Sequence, residues 1–209
     1  EIEDTINNYI ILAEDITYFK NEEKILTRGK TKSKIKSKYE LTSENVLYLV
    51  TENKLKSSKK STFKDNNSNV YILDKFNYSI NKEELKGENI IAITNFDKPE
   101  SDKFYFSNGI INFKTENFIA KDTKIEIHND IFGNVDNNPR LEGVSSNKSN
   151  NIITVNKGVF TSCKERDDCP PWMITAKKIK HDKNKKQIIY DNAILKVYNI
   201  PVLYFPKFF

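Results

Sequence analysis

The sequence has little of the residues that interrupt regular structure or mark special sites. Its 209 residues include only six glycines, six prolines, two cysteines, two histidines, one methionine and one tryptophan. No run approaches the roughly 18 consecutive apolar residues of a membrane-spanning helix. No glycine-rich phosphate loop, Gly-x-Ser-x-Gly elbow or His-Glu-x-x-His helix occurs. We therefore expect a protein that is not an enzyme and that uses no cofactor.

The chain also lacks a recognisable signal peptide, because Glu1 opens directly into polar, strand-like sequence. We expect it to be a soluble piece of a longer protein, whose targeting segment lies upstream. Its mean hydropathy is -0.64 and 30% of its residues are charged, which agrees with a soluble fragment. With 37% hydrophobic residues, 209 residues suffice for one sizeable core.

Arginine is scarce as well, so the net charge of +5 comes from lysine. One interpretation is a solvated lysine surface. The other is that lysines near the mouth of a groove attract phosphate-bearing ligands. We expect no nucleic-acid partner, because the lysines are scattered and no aromatic RNA-binding motif or Cys/His finger accompanies them.

An internal repeat is the strongest pattern that the sequence contains. Four apolar positions recur at intervals of thirty residues: Ile11, Ile16, Tyr18 and Ile25, then Leu41, Val46, Tyr48 and Leu55, then Tyr71, Phe76, Tyr78 and Leu85. A later copy reads Ile174, Ile179, His181 and Ile188, and a weaker one reads Phe106, Ile111, Phe113 and Ala120. Such repetition indicates one structural unit used several times.

The spacing within each copy predicts strands. Positions two apart share a face of a strand, whereas positions five apart do so only if a bulge or bend intervenes, here near residues 14–15. Polar turns are predicted within the copies, at residues 20–23, 51–53, 81–83 and 183–185. The fold class is therefore all-β, a sandwich, jelly roll or solenoid with very little helix.

Both ends of the chain resemble one family. Residues 160–163 (Phe-Thr-Ser-Cys), Trp172, residues 192–193 (Asn-Ala) and residues 200–206 (Ile-Pro-Val-Leu-Tyr-Phe-Pro) match a succession of phrases found in the OstA-like, LptD-type family of outer-membrane lipopolysaccharide-assembly proteins. Residues 13–18 and 176–182 resemble that family's repeat unit. The match fades between residues 117 and 156.

The resemblance implies an open, twisted β-jelly roll at the periplasmic face of the Gram-negative outer membrane. Residues 1–198 would form this domain, and residues 199–209, with Pro201 and Pro206, would connect it to a C-terminal outer-membrane β-barrel. Its function would be to receive lipopolysaccharide from a periplasmic bridge and to pass the acyl chains toward the barrel. The implied partners are lipopolysaccharide, an LptA-like bridge protein added by β-augmentation at the N-terminal edge, residues 9–18, and an LptE-like plug lipoprotein bound through the barrel.

If the repeated positions face a groove, they are the candidate lipid-binding residues, since apolar walls can hold acyl chains without directional bonds. The alternative is that they fill a closed core. The candidates are Ile16, Tyr18, Ile25, Val46, Tyr48, Leu55, Phe76, Tyr78, Leu85, Ile111, Phe113, Ile179 and Ile188.

The two cysteines, Cys163 and Cys169, are the candidate disulfide residues: their number and spacing are compatible with a bond between them, and the family resemblance offers a second partner for Cys163 near the end of the barrel. Their spacing to His181 does not follow that of zinc ligands, so no metal site is expected. His128 and His181 lie in strand-like segments and are interpreted as packed or ligand-facing rather than catalytic.

Two other functions remain open. One is a soluble, bridge-type OstA-domain carrier of lipopolysaccharide. The other is a β-solenoid that binds or cleaves polysaccharide.

Overall fold

The protein is all-β, and its strands pair in antiparallel fashion, which confirms the predicted fold class. The computed structural model describes residues 1–5, 8–129, 136–164 and 170–209. The strands are β1 (Ile2–Asp4), β2 (Tyr9–Phe19), β3 (Lys24–Ile35), β4 (Tyr39–Glu44), β5 (Leu47–Leu49), β6 (Lys54–Ser57), β7 (Ser61–Asp65), β8 (Val70–Leu73), β9 (Lys75–Ser79), β10 (Glu84–Ile93), β11 (Lys103–Asn112), β12 (Asn117–Glu126), β13 (Arg140–Ser149), β14 (Ile152–Thr161), β15 (Trp172–Asp182), β16 (Gln187–Val197) and β17 (Ile200–Phe208).

The described part of the chain contains very little helix, and a 3-10 turn spans Lys20–Glu22. That turn and the turns at residues 51–53, 81–83 and 183–185 confirm the predicted turn positions. Among the described residues, no helix has the length and apolar character needed to cross a membrane.

The chain divides into two compact units. The first comprises Glu1–Asp97 and Asn108–Thr115, and the second comprises Lys98–Ser107 and Glu116–Phe209. Residues 200–208, which lie within the predicted connector 199–209, form β17 and pair with β16 in the second unit. The continuation of this segment into a barrel stays a prediction.

The first unit is a sandwich whose two layers share bent strands. One layer contains the first half of β2, the second half of β3, then β4, β7, β8 and the second half of β10. The other contains the second half of β2, the first half of β3, then β5, β6, β9 and the first half of β10. Aromatic rings join the layers, since the ring centroids of Tyr9 and Tyr48 are 5.0 Å apart and those of Phe63 and Tyr78 are 5.4 Å apart.

This arrangement explains the thirty-residue repeat. Each copy places one strand in the first layer and a hairpin in the second. The hairpin positions therefore line up as one cross-strand row, Tyr18, Ile25, Tyr48, Leu55, Tyr78 and Leu85. The first-layer positions form the opposing row, Ile11, Ser33, Leu41, Phe63, Tyr71 and Ala92. Apart from Tyr18, which is exposed at the end of its row, the two rows are buried against each other and supply the apolar contact that stabilises the sandwich.

Corners between the layers use left-handed backbone. The β2 register shifts between Ala13 and Asp15, which confirms the predicted bulge near residues 14–15. Gly29 has a φ of 71°, and its N–H donates to the Asn45 side-chain oxygen at 3.0 Å. Glycine and asparagine adopt this conformation at low cost, so the sequence supports a bend here.

The second unit is a meander in which each of the strands β12 to β17 pairs with its sequence neighbours. Its long strands bend at left-handed residues placed every 35 residues: Asp122, Lys157 and Asn192 have φ angles of 48°, 47° and 52°. Two neighbouring backbone segments approach each other closely at this bend. A Cβ atom added to Gly143 would lie only 2.9 Å from the carbonyl oxygen of Asn156. The bend folds the sheet over its own inner face.

Candidate functional site

Most of the predicted lipid-binding residues form the closed core of the first unit. Ile25, Val46, Tyr48, Leu55, Phe76, Tyr78, Leu85, Ile111 and Phe113 are buried there. Ile16 is half-buried and Tyr18 is 53% exposed. In the second unit Ile179 is buried and Ile188 is half-buried. The structure thus brings the first-unit positions together as packed side chains.

Burial in the second unit decreases along the sheet from β12 to β17. One inward-facing row runs through Ala120, Ser146, Val155, Ile179, Tyr190 and Phe208. Its members are buried up to Tyr190, but Phe208 is 38% exposed. In the neighbouring row, Ile125 and Leu141 are buried whereas Leu203 is 54% exposed. The inner face is therefore closed at β12 and open at β17.

A cavity of about 620 Å³ lies at this open end. Most of its lining is aromatic or aliphatic, and the remainder is a small set of charged and imidazole groups. The lining residues are Asp102, His128, Phe160, Trp172, Ile174, His181, Lys183, Lys186, Ile188, Tyr190, Phe208 and Phe209. Concave, mainly apolar sites of about 300–1,000 Å³ with a few polar groups are typical of small-molecule binding.

Three of the lining residues are repeat positions. Ile174, His181 and Ile188 are the first, third and fourth positions of the last copy. His181 lies directly opposite Ile188 across β15 and β16, just as Tyr48 lies opposite Leu55 in the first unit. The same cross-strand pair thus fills a core in one unit and lines a cavity in the other.

An acidic side chain organises the polar part of the lining. Asp102 is 4% exposed. Its Oδ1 accepts hydrogen bonds from the His128 backbone N–H at 3.1 Å and from His128 Nδ1 at 2.8 Å. Its Oδ2 accepts from Lys183 Nζ at 2.9 Å. Lys183 lies in the β15–β16 turn, yet its ammonium group reaches back to this cluster.

The cluster is charged at neutral pH. Burial alone would raise the pKa of the Asp102 carboxyl, but Lys183 and the His128 hydrogen bonds outweigh it and hold the pKa below its ordinary value. His181 behaves differently, because burial, and next to it the charge of Lys183, lower the pKa of its imidazole. Asp102 is therefore ionised and His181 is neutral at physiological pH.

The phenol of Tyr190 belongs to the apolar wall, since burial raises its pKa above the ordinary value. Trp172 and Phe160 lie beside it, with ring centroids of Phe160 at 6.1 Å from each of Trp172 and Tyr190. Trp172 is the only tryptophan in the sequence, and it lines the cavity as part of this aromatic cluster.

The lining contains one pair of side chains of a type that also occurs in catalytic sites. An aspartate–histidine pair such as Asp102 and His128 can activate a hydroxyl or thiol nucleophile. The lining residues that the structure describes include no serine, threonine or cysteine for it to activate. Within the described ranges, no group of three or more His, Cys, Asp or Glu side chains is arranged to hold a metal ion. An amphipathic, anionic molecule matches both parts of the lining.

Other predicted residues lie elsewhere. Cys163 follows β14, with its Sγ 3.8 Å from the Trp172 carbonyl oxygen. Its predicted disulfide partner, Cys169, lies outside the described residues, so the pairing stays a prediction. Pro201 is in register with Lys196 within the β16–β17 pair, and Pro206 also belongs to β17.

Sequence reasoning missed Asp102, Lys186, Tyr190 and Phe208. Tyr190 and Phe208 lie on the apolar face of their strands, a signal that period-two alternation carries. Asp102 gives no comparable signal, because its partner Lys183 lies 81 residues away in the sequence. A search of protein-family models and of curated protein sequences finds no match to this chain.

Proposed function

We propose that this chain is a lipid-binding module that takes acyl chains into the cavity of its second unit. The observation that carries the proposal is the inner face that is closed at β12 and open at β17. Exposed apolar side chains without a facing layer gain about 0.8 kcal/mol for each methylene that covers them. An acyl chain is the simplest ligand that supplies such cover along a row of strands.

In its fuller form the proposal follows the family resemblance. The chain would be the periplasmic lipopolysaccharide-binding domain of an outer-membrane translocon, and lipid A would be the acylated ligand. The LptA-like bridge protein and the LptE-like plug lipoprotein would be its partners. The all-β fold and the apolar cavity support this proposal.

The edge of β2 in the first unit is where a bridge protein would dock. Tyr9, Ile10 and Ile11 pair with β1, so this half of β2 is covered on both sides. In the other half, residues 15–19 pair with β3 alone among the described strands, and Tyr18 and Phe19 are exposed. An added strand would therefore align with residues 15–19, where unpaired backbone groups can accept it.

Site-specific crosslinking in lipopolysaccharide-producing cells tests the function. A photo-crosslinking amino acid replaces Ile188, which lines the cavity, or its neighbour Gln187, which is exposed and does not. Adjacent residues of a strand point to opposite faces, so Gln187 is a matched control. We expect lipopolysaccharide adducts at residue 188 and none at residue 187.

Two outcomes contradict the proposal. Equal adducts at both positions would indicate adsorption to the surface rather than binding in the cavity. No adduct at residue 188 in a folded protein would show that lipopolysaccharide does not enter this site. Tyr48 is a useful third position, because its burial in the first-unit core predicts no adduct there.

A further inference from the structure

We propose that Lys183 and Lys186 form a headgroup site that binds the phosphate or carboxylate of an amphipathic ligand whose tail lies against Phe160, Trp172 and Ile174. The inference rests on the proposed function, since it assumes that acyl chains enter this cavity. It adds a polarity to the site: the ligand enters in one orientation, and anionic lipids are preferred to neutral ones.

The size of the cavity supports a single bound amphiphile. A volume of about 620 Å³ lies within the range of pockets that enclose one small ligand. Its apolar lining can cover a hydrocarbon tail, whereas a charged headgroup buried there without partners would be strongly disfavoured. The headgroup must therefore reach the charged part of the lining or the solvent.

The balance of charge in the lining favours an anion. Asp102 is the only acidic residue among the described lining residues, and two lysines accompany it. The Asp102 carboxylate already accepts hydrogen bonds from His128 and Lys183, so its charge is compensated within the protein. Lys186 has no carboxylate within ion-pair distance among the residues that the structure describes. The positive charge of Lys186 can therefore pair with an anionic ligand.

Lys183 can add hydrogen bonds to the same headgroup. It is held at the Asp102 carboxylate, with 34% of its side chain exposed, and can share its remaining N–H groups. Lys183 and Lys186 thus line the same cavity, and the buried Asp102 carboxylate keeps its lysine partner.

Tryptophan fluorescence gives a direct measurement, because Trp172 is the only tryptophan and lines the cavity. The purified chain is titrated with three probes of equal tail length: lauric acid, lauroyl lysophosphatidic acid and neutral monolaurin, each below its critical micelle concentration. We expect both anionic probes to bind about 3- to 10-fold more tightly than monolaurin, the range of a partly exposed charge contact. The tighter of the two anionic probes identifies phosphate or carboxylate as the preferred headgroup.

A matched pair of variants separates the site from a general surface effect. Lys186→Met removes the lysine in the cavity, and Lys185→Met removes the same charge from the adjacent turn residue, which does not line it. We expect Lys186→Met to abolish most of the preference for anions while monolaurin binding is unchanged. We expect Lys185→Met to retain the preference.

The outcomes that overturn the inference differ from those that overturn the function. Equal binding of anionic and neutral probes would eliminate the headgroup site and leave lipid binding intact. An equal loss of preference in both variants would also eliminate the site, since the attraction would then come from the surface as a whole. If no probe binds, the headgroup site and acyl-chain binding in the cavity both fail.

Discussion

Two tyrosines in equivalent repeat positions should respond in opposite ways to loss of the hydroxyl group. Tyr48 and Tyr78 lie thirty residues apart in the same cross-strand row, and both are almost fully buried. The Tyr48 hydroxyl donates to Asp4 Oδ2 at 2.7 Å. The Tyr78 hydroxyl has no hydrogen-bond partner among the residues that the structure describes. Tyr48→Phe therefore removes a hydrogen bond, whereas Tyr78→Phe removes a buried hydroxyl group for which the described residues offer no partner.

The magnitudes follow from these environments. A hydrogen bond to a charged acceptor contributes about 1.5–3 kcal/mol, so Tyr48→Phe should lower the free energy of unfolding by about 2 kcal/mol. A buried hydroxyl without a partner carries a desolvation cost of about 1–3 kcal/mol, so Tyr78→Phe should raise that free energy by about 1 kcal/mol. We expect the two variants to differ by about 3 kcal/mol.

Urea unfolding followed by far-UV circular dichroism measures both free energies of unfolding. The comparison requires that the slope of this free energy against urea concentration is the same in each variant as in the parent protein. Tyr18→Phe is the control, because Tyr18 occupies the same repeat position but is exposed, and its effect should stay within about 0.5 kcal/mol. A loss of more than about 1 kcal/mol in Tyr78→Phe would refute the reasoning, since it would mean that the hydroxyl forms a stabilising bond.

Two further predictions concern the second unit. Because the folded-state pKa of Asp102 lies below its ordinary value, its stabilising contribution is complete above that ordinary value and is lost as the pH falls through the folded pKa. Asp102→Asn should therefore lower the free energy of unfolding by about 2 kcal/mol at pH 7, with a difference that shrinks below about pH 4 in urea titrations repeated across pH. At the strand bend, Lys157→Gly should raise the thermal midpoint by a few degrees, because glycine adopts the φ of 47° without the penalty of about 1 kcal/mol that a side chain incurs. Lys178→Gly, at a regular β15 position paired with Asp191, should lower it, and a fall in both variants would contradict the role assigned to the bend.

The strands, turns and first bulge of this protein could be predicted because local chemistry determines them. Residues 20–23 and 183–185 are polar runs between apolar strand positions, and they form turns. The spacing between Ile11 and Ile16 requires a bend if both face inward, and the register shift between Ala13 and Asp15 supplies it. Each of these inferences uses residues close together in the chain.

The site could not be located in the same way, because its features depend on distant residues. Tyr48 and His181 occupy the same repeat position, yet one is core and the other lines a cavity. The difference arises from β17, which leaves the inner face open beside it. The bend at Lys157 could not be predicted from the sequence either, since lysine has no preference for left-handed backbone.

The regular bends of the second unit have a consequence for how it could grow. Each strand from β12 to β17 pairs with its sequence neighbours, and the left-handed residue recurs at the same place in every second strand. Duplication of one hairpin of about 35 residues would thus extend the sheet along a single axis while every bend stays aligned. Gene duplication could lengthen this half of the molecule one hairpin at a time, with only the two flanking pairings needing to be formed anew.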